Sequence, residues 1–324
     1  MNIQNKIDKI LPVGKIIREA PYIMVFKTTN YCWYQCPHCC ESCCPKNDRK
    51  FISLDVIYSY LTQAVQDPQF SRHVVFTGGE IMSSYLFGDP KYVPTILKWC
   101  LSANLSTDIK TNAGWARAGF GKQIYTDLAT VINEHPQGHL QISLSLDNFH
   151  KNALENNARV LEQLAGDIKH RLAINIVSFS DSVQMYPELL KRLRSRGVRI
   201  DDAMLIDKKT GTAEDVTVLN GNIIIQHRNS ILFDGGRARG MPTAIHTEFP
   251  QFKFMCAPGH TLMKFDVDGM VTLGENSGRK IGTPWLANKN KIYTLNGIKK
   301  ALVIDARIKE LRAKIFEGWR GPHK

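Results

Sequence analysis

The sequence predicts an α/β protein, a partial (β/α)6 TIM-like barrel followed by a C-terminal α+β extension. Three observations lead there. Stretches of strand and helix character alternate six times between residues 22 and 206. One strand, 140–147 (LQISLSLD), carries Leu140, Ile142, Leu144 and Leu146 on one face and Gln141, Ser143, Ser145 and Asp147 on the other. A strand of a parallel sheet covered on both sides is apolar on both faces. The polar face therefore predicts a curved sheet whose inner surface lines a cavity. Finally, six of the eight cysteines crowd into CWYQCPHCCESCCP, residues 32–45, directly after the first strand. Sites in β/α folds form at the C-terminal ends of strands.

The elements follow in order. YIMVFKTT (22–29) is the first strand. SLDVIYSYLTQAVQD (53–67) has helical periodicity, with Ser53 placed to cap it. HVVFTGGE (73–80) is a strand ending in a double glycine. KYVPTILKWCLSAN is helical, and Cys100 shares its apolar face with Val93, Ile96 and Leu97, a core position. LSTDIKTN (105–112) is the third strand, KQIYTDLATVINEH a helix, and 140–147 the fourth strand. NALENNARVLEQLAG is helical before RLAINIVSF (171–179), the fifth strand. YPELLKRLRSRG has Pro187 near its start and Gly197 at its end, helix punctuation at both sides. VRIDDAMLI (198–206) reads as the sixth strand of a parallel sheet with helical crossovers. Beyond 207 the alternation stops, and LMKFDVDGMVTLG (262–274) reads as a hairpin turning at Asp268-Gly269. The expected organisation is a short segment 1–20, a barrel over 21–206 and an extension over 207–324.

Composition narrows the function classes. The chain has 324 residues, 43% of them hydrophobic, which supports a large core and argues against disorder. MNIQNKIDKI lacks the apolar core of a signal peptide, and no apolar run reaches the roughly 18 residues of a membrane span. A cytoplasmic location with reduced thiols is expected. The net charge of +12 is concentrated in the tail: from Arg279 onward there are twelve Lys or Arg against three Asp or Glu. The segment 298–316 shows apolar residues at helical spacing with basic residues between them, a solvated helix face. It lacks the interleaved aromatics of a base-stacking surface, so nucleic acid is not the expected partner.

Cys32, Cys36 and Cys39 have C-x3-C-x2-C spacing. Three thiolates on one loop can each hold one iron of a [4Fe–4S] cube and leave the fourth iron open. A zinc knuckle is the alternative, with Cys40, Cys43, Cys44 or His38 as fourth ligand. Disulfides fit poorly, because adjacent cysteines such as Cys39-Cys40 and Cys43-Cys44 rarely meet the geometry.

With CWYQCPHC after strand one and FTGGE at the end of strand two, the chain resembles the radical S-adenosylmethionine (SAM) superfamily across residues 20–206. The resemblance implies one [4Fe–4S] cluster on Cys32, Cys36 and Cys39, whose open iron binds the amino and carboxylate groups of SAM. Reduction then cleaves SAM to methionine and a 5′-deoxyadenosyl radical, which abstracts a hydrogen atom from substrate. It also implies site roles for residues of this chain. Gly78 and Gly79 would let backbone approach the ligand. Glu80 would accept hydrogen bonds from the SAM ammonium. His38 would lie beside the adenine, Ser145 and Asp147 would contact the ribose or methionine part, and Asn112 and Asn175 would line the same inner surface.

CAPGHTLMKFDVDGMVTLGEN, from Cys256, resembles the opening of the SPASM and twitch auxiliary-cluster regions, and GGRARG (235–240) upstream resembles the segment that precedes them. Where a second cysteine would stand, this chain has Gly274-Glu275-Asn276, so one cluster is expected and not two. Cys43, Cys44 and Cys256 are then candidates to face a substrate radical, since an S–H bond donates hydrogen readily. The SPASM-like tail favours a ribosomally made peptide as substrate. A small molecule or nucleoside of a natural-product pathway is the second choice, and a zinc-binding nucleic-acid protein a distant third. An acidic low-potential donor such as flavodoxin or ferredoxin would dock on the basic tail. No B12-binding domain is apparent.

Overall fold

The periodicities become strands and helices close to where they were read. A computed structural model describes residues 21–39, 41–179, 182–206, 213–229, 237, 261–267, 271–273 and 297–299. They fall into two compact units.

The larger unit comprises the described residues of 27–51 and 73–246. Its strands are β2 (Phe70–Thr77, from His73 onward), β3 (Ser106–Thr111), β4 (Leu140–Ser145), β5 (Leu172–Ser178), β6 (Ile200–Ile206), β7 (Ala213–Leu219) and β8 (Ile223–Asn229). They are ordered β2-β3-β4-β5-β8-β7-β6. The pairs from β2 to β5, and β5 with β8, are parallel; β8-β7 and β7-β6 are antiparallel. Helices α3 (Tyr92–Ser102), α4 (Gly121–Glu134), α5 (Ala153–Asp167) and α6 (Met185–Ser195) alternate with the strands, and a short α2 (Ser83–Leu86) follows β2. The α/β class and the partial-barrel pattern are those expected.

One side of this sheet is apolar: Ile109, Ile142, Leu144, Ile174, Ile176 and Ile225 are all essentially inaccessible. The other is polar. The register sets Asp108 beside Gln141, and Lys110, Ser143, Asn175 and Gln226 in one row. Ser143 Oγ donates to Asp108 Oδ1 at 2.8 Å across this face.

The sixth parallel position is a correction. Residues 198–206 were expected there, but β8 lies beside β5, from Leu172↔Ile223 to Ser178↔Asn229. β6 lies at the sheet edge, paired only with β7. Burial explains the exchange. β8 supplies Ile223 and Ile225, both fully buried, whereas β6 carries exposed Asp201 and Asp202, the charged residues that suit an edge. The β7-β8 hairpin therefore completes the sheet of the larger unit, although its sequence lies beyond the expected barrel boundary at 206.

The smaller unit pairs β1 (Tyr22–Lys27) in parallel with β9 (Thr261–Phe265), which pairs antiparallel with β10 (Val271–Leu273). This is the hairpin expected over 262–274; its turn at 268–270 lies outside the described residues. Helix α1 (Leu54–Val65) is capped by Ser53, whose Oγ accepts from Val56 N–H at 3.3 Å. Its Tyr60 ring lies 4.7 Å from Phe265, which also stacks on Phe26 at 5.0 Å. The basic segment 298–316 lies outside the described residues beyond 299.

Candidate iron–sulfur and cofactor site

The cysteine loop belongs wholly to the larger unit. It is closed on itself by short-range bonds: Cys39 N–H to the Cys36 carbonyl, Ser42 N–H to that of Cys39, and Asn47 N–H to that of Cys44, each 3.2 Å. Asn47 Nδ2 ties both ends, donating to the carbonyls of Asn30 at 3.0 Å and Ser42 at 3.1 Å. Lys27, buried, pairs with half-buried Glu41 of the loop at 3.2 Å.

Cys32 and Cys36 are buried, and Cys39 is half-buried. N–H groups point at their sulfurs. Tyr34 N–H and Asn112 Nδ2 each approach Cys32 Sγ at 3.4 Å, and the His150 ring bonds Cys36. Burial, and then the charge of Glu80, pushes the Cys32 thiol up. Cys39 is held down to about 6, first by the thiol of Cys43 donating to it. Three sulfurs with N–H donors around them match what cluster thiolates receive from a protein. The donor set fits a [4Fe–4S] group held by Cys32, Cys36 and Cys39.

The double glycine has a part to play inside the protein. A Cβ on Gly79 would stand 1.7 Å from the Tyr31 carbonyl oxygen, and one on Gly78 (φ +133°) 2.6 Å from that of Thr29. The glycines let the end of β2 approach the backbone that enters the cysteine loop. Gly79 N–H donates to the Thr29 carbonyl at 2.8 Å, and Glu80 N–H to that of Tyr31 at 2.9 Å. Glu80 is likewise turned inward and fully buried. Its carboxylate accepts from Met82 N–H (3.1 Å), Asn112 N–H (2.9 Å) and the Thr111 hydroxyl (2.8 Å). Burial pushes it up to about 7 against these bonds. Glu80 thus joins the end of β2 to the end of β3, with its oxygens engaged inside the protein.

Asn112 bridges the same region. Its Oδ1 accepts from Trp33 Nε1 and Gly114 N–H, both at 2.9 Å, while its Nδ2 reaches Cys32. Asp147, past the end of β4, is also engaged internally. It accepts from Phe149 N–H at 2.9 Å, His150 N–H at 3.1 Å and His150 Nδ1 at 2.9 Å. Burial pushes Asp147 up, but bonding and charge from His150 hold it below the usual range. His150 is raised to about 10 despite its burial, through Asp147 and Cys36. His38, Asp147 and His150 bring ligand atoms within 4.8 Å of one another, a grouping that could hold a metal. The Asp147–His150 ion pair already occupies that grouping.

His38 lies in an aromatic cluster, 4.4 Å from Phe149, 5.1 Å from His150 and 5.3 Å from Phe179. Ser145 and Asn175 share the polar face of the sheet, and Asn175 Oδ1 is buried without a hydrogen-bond partner. Cys43, considered as substrate-facing, is 2% exposed, with its thiol toward the Glu41 carbonyl at 3.7 Å and toward Cys39. The Cys44 thiol donates to Asn47 Oδ1 at 3.2 Å. Those contacts give both thiols internal partners. Cys40 and Cys256 lie outside the described residues, and Cys100 is fully buried as expected. Sequence reading missed His150 and Thr111, and met Arg237 only as part of GGRARG, with no role assigned to it. His150, three residues after Asp147, had a local signal.

No protein-family model and no curated protein matches the chain. Among solved structures, it is similar to Streptococcus suis SuiB at 15% identity and TM-score 0.46, covering 83% of this chain and 64% of SuiB. The chain thus spans less than two thirds of SuiB. It is also similar to anSMEcpe with bound AdoMet at 12% identity and TM-score 0.43, covering 87% and 80% of the two chains. HydG, a maturase of the [FeFe]-hydrogenase, is similar at 12% identity and TM-score 0.28, over 100% of this chain and 89% of HydG.

Proposed function

We propose that the chain is a radical SAM enzyme. The observation that carries this is the cysteine loop: Cys32, Cys36 and Cys39 on one loop, with N–H donors at Cys32 and Cys36, anchored to the glycine turn that ends β2. A bound cluster would supply the electron that cleaves SAM to methionine and a 5′-deoxyadenosyl radical, which takes a hydrogen atom from substrate. The residues of the chain hold this machinery in place. Asn112 and His150 orient Cys32 and Cys36. Glu80 and Asp147 fix the segments carrying them, and the aromatic group around His38 offers a flat apolar wall suited to a purine ring.

The substrate we propose is a ribosomally made peptide, from the SPASM-like sequence of 256–276. An acidic flavodoxin or ferredoxin is the proposed electron donor, drawn to the basic tail. Among the described residues no helix is long and apolar enough to cross a membrane.

The test is anaerobic. The protein is loaded with iron and sulfide, reduced with dithionite and given SAM, and 5′-deoxyadenosine is measured by mass spectrometry. Wild type is expected to form it and Cys36→Ala is not. A colourless zinc protein that forms none would refute the proposal.

A further inference from the structure

Arg237 makes three bonds to the cysteine loop from about two hundred residues away. Its Nε donates to the Cys36 carbonyl at 2.9 Å and its Nη2 to the Cys43 carbonyl at 2.6 Å. Its backbone N–H donates to the Cys39 carbonyl at 3.0 Å. A loop without helix or strand leaves carbonyls that need donors when buried. Here one residue adds a second donor to the carbonyls of two of the three proposed ligands, Cys36 and Cys39, which also accept from Cys39 N–H and Ser42 N–H, and bonds that of Cys43, whose thiol donates to Cys39. The two side-chain acceptors are seven positions apart in sequence, and a rigid guanidinium fork spans them. A lysine ammonium, a point donor on a flexible stem, would not hold both in one plane. Bonded to the carbonyls of Cys36 and Cys43, the guanidinium also fixes a positive charge at the cysteine loop.

We propose that Arg237 is a positioning residue for the cluster, whose fork and backbone amide set the curvature of the cysteine loop and whose charge favours the reduced cluster. The proposal rests on the iron–sulfur reading above. An anionic cluster gains a further negative charge on reduction, so a fixed cation nearby raises its potential. Outer-shell partners of metal ligands typically contribute 10- to 100-fold to metal affinity.

The test compares wild type, Arg237→Gln and Arg237→Lys by three measurements. One is iron release to a chelator from the reconstituted proteins. Another is cluster potential by EPR-monitored titration. The third is alkylation of Cys36 in the apo proteins, where it is 6% exposed. Arg237→Gln is expected to release iron about tenfold faster, to show a more negative potential and to alkylate faster at Cys36. Arg237→Lys keeps the charge, so its potential should stay near wild type while its iron release is still faster. Wild-type release, potential and alkylation in Arg237→Gln would overturn the proposal. If Arg237→Gln fails to fold by circular dichroism, Arg237→Lys decides: release at the wild-type rate overturns it. A wild-type protein that assembles no cluster would defeat the functional reading. Apo alkylation would then still decide whether Arg237 shapes the loop.

Discussion

Replacing Gly79 by alanine tests the junction between β2 and the cysteine loop. The new Cβ would fall 1.7 Å from the Tyr31 carbonyl oxygen, 2.4 Å from its carbonyl carbon and 3.1 Å from Cys32 N, all backbone atoms. No side chain can move aside to relieve the contact, so the two segments must separate. Separation breaks two bonds, Gly79 N–H to Thr29 and Glu80 N–H to Tyr31. Each is worth about 1 kcal/mol net, and a buried group left unpaired costs roughly 1–3 kcal/mol. The expected loss is about 3–5 kcal/mol, a large share of the roughly 5–15 kcal/mol of a typical domain. The control is Gly166→Ala in α5, where a Cβ meets nothing within 4 Å. There alanine should stabilise by about 0.5–1 kcal/mol, through helix propensity and a less flexible unfolded chain. Urea unfolding followed by circular dichroism measures both, and iron uptake after reconstitution reports the loop. Gly79→Ala with wild-type stability and iron content would refute this account of the double glycine.

Other substitutions separate the remaining roles. Glu80→Gln puts an amide nitrogen against Met82 N–H or Asn112 N–H, leaving one buried donor unpaired. We expect about 1–3 kcal/mol lost from the bonding term, with relief of the buried charge offsetting part of it above pH 7. Trp115, whose Nε1 donates to Thr111 Oγ1 at 3.0 Å, is the fluorescent reporter for that change. Glu155 accepts from Arg159 at 2.7 Å, Arg196 at 2.8 Å and Arg192 at 3.2 Å, joining α5 to α6. The bond from Arg159 and then those from Arg196 lower it to about 2, below its value in the unfolded chain. Its stabilisation should be full above about pH 4.5 and lost as pH falls toward 2. Partial exposure limits it to about 1 kcal/mol. Glu155→Gln should therefore be less stable than wild type at pH 7 and equal to it near pH 2; an unchanged difference across that range would refute the ion-pair account. Cys100→Ala should cost about 1 kcal/mol in unfolding and leave iron content unchanged, which separates the core thiol from the loop thiols.

Much of the molecule was legible locally. The period-two pattern of 140–147 determined which side of β4 would be buried, and the structure keeps Leu140, Ile142, Leu144 and Leu146 inside. Ser53 announced the start of α1, and the spacing of Cys32, Cys36 and Cys39 placed a sulfur-rich loop after β1. These features depend on near neighbours in the chain, so residue type and spacing suffice to read them.

What tertiary structure decided is the choice among distant partners. A strand pattern states that residues 200–206 and 223–229 are both strands, but not which lies beside β5. The buried isoleucines of β8 and the exposed aspartates of β6 settle that choice only when the sheet assembles. Glycine at 78 and 79 is compatible with a turn, a ligand or a close crossing of backbone, and only the position of Thr29 and Tyr31 reveals the crossing. The resemblance implied SAM contacts for Glu80 and Asp147. Folding also brought internal donors to them, and a buried carboxylate is tolerated only when it is bonded. Arg237 stood in the GGRARG stretch, but its role carried no local signal, because its acceptors are carbonyls of residues far away in the chain, and a carbonyl is present at every position. Sequence by itself determined the elements and the sulfur donors; the fold determined which groups hold those donors in place, because long-range hydrogen bonds are satisfied only after the chain has packed.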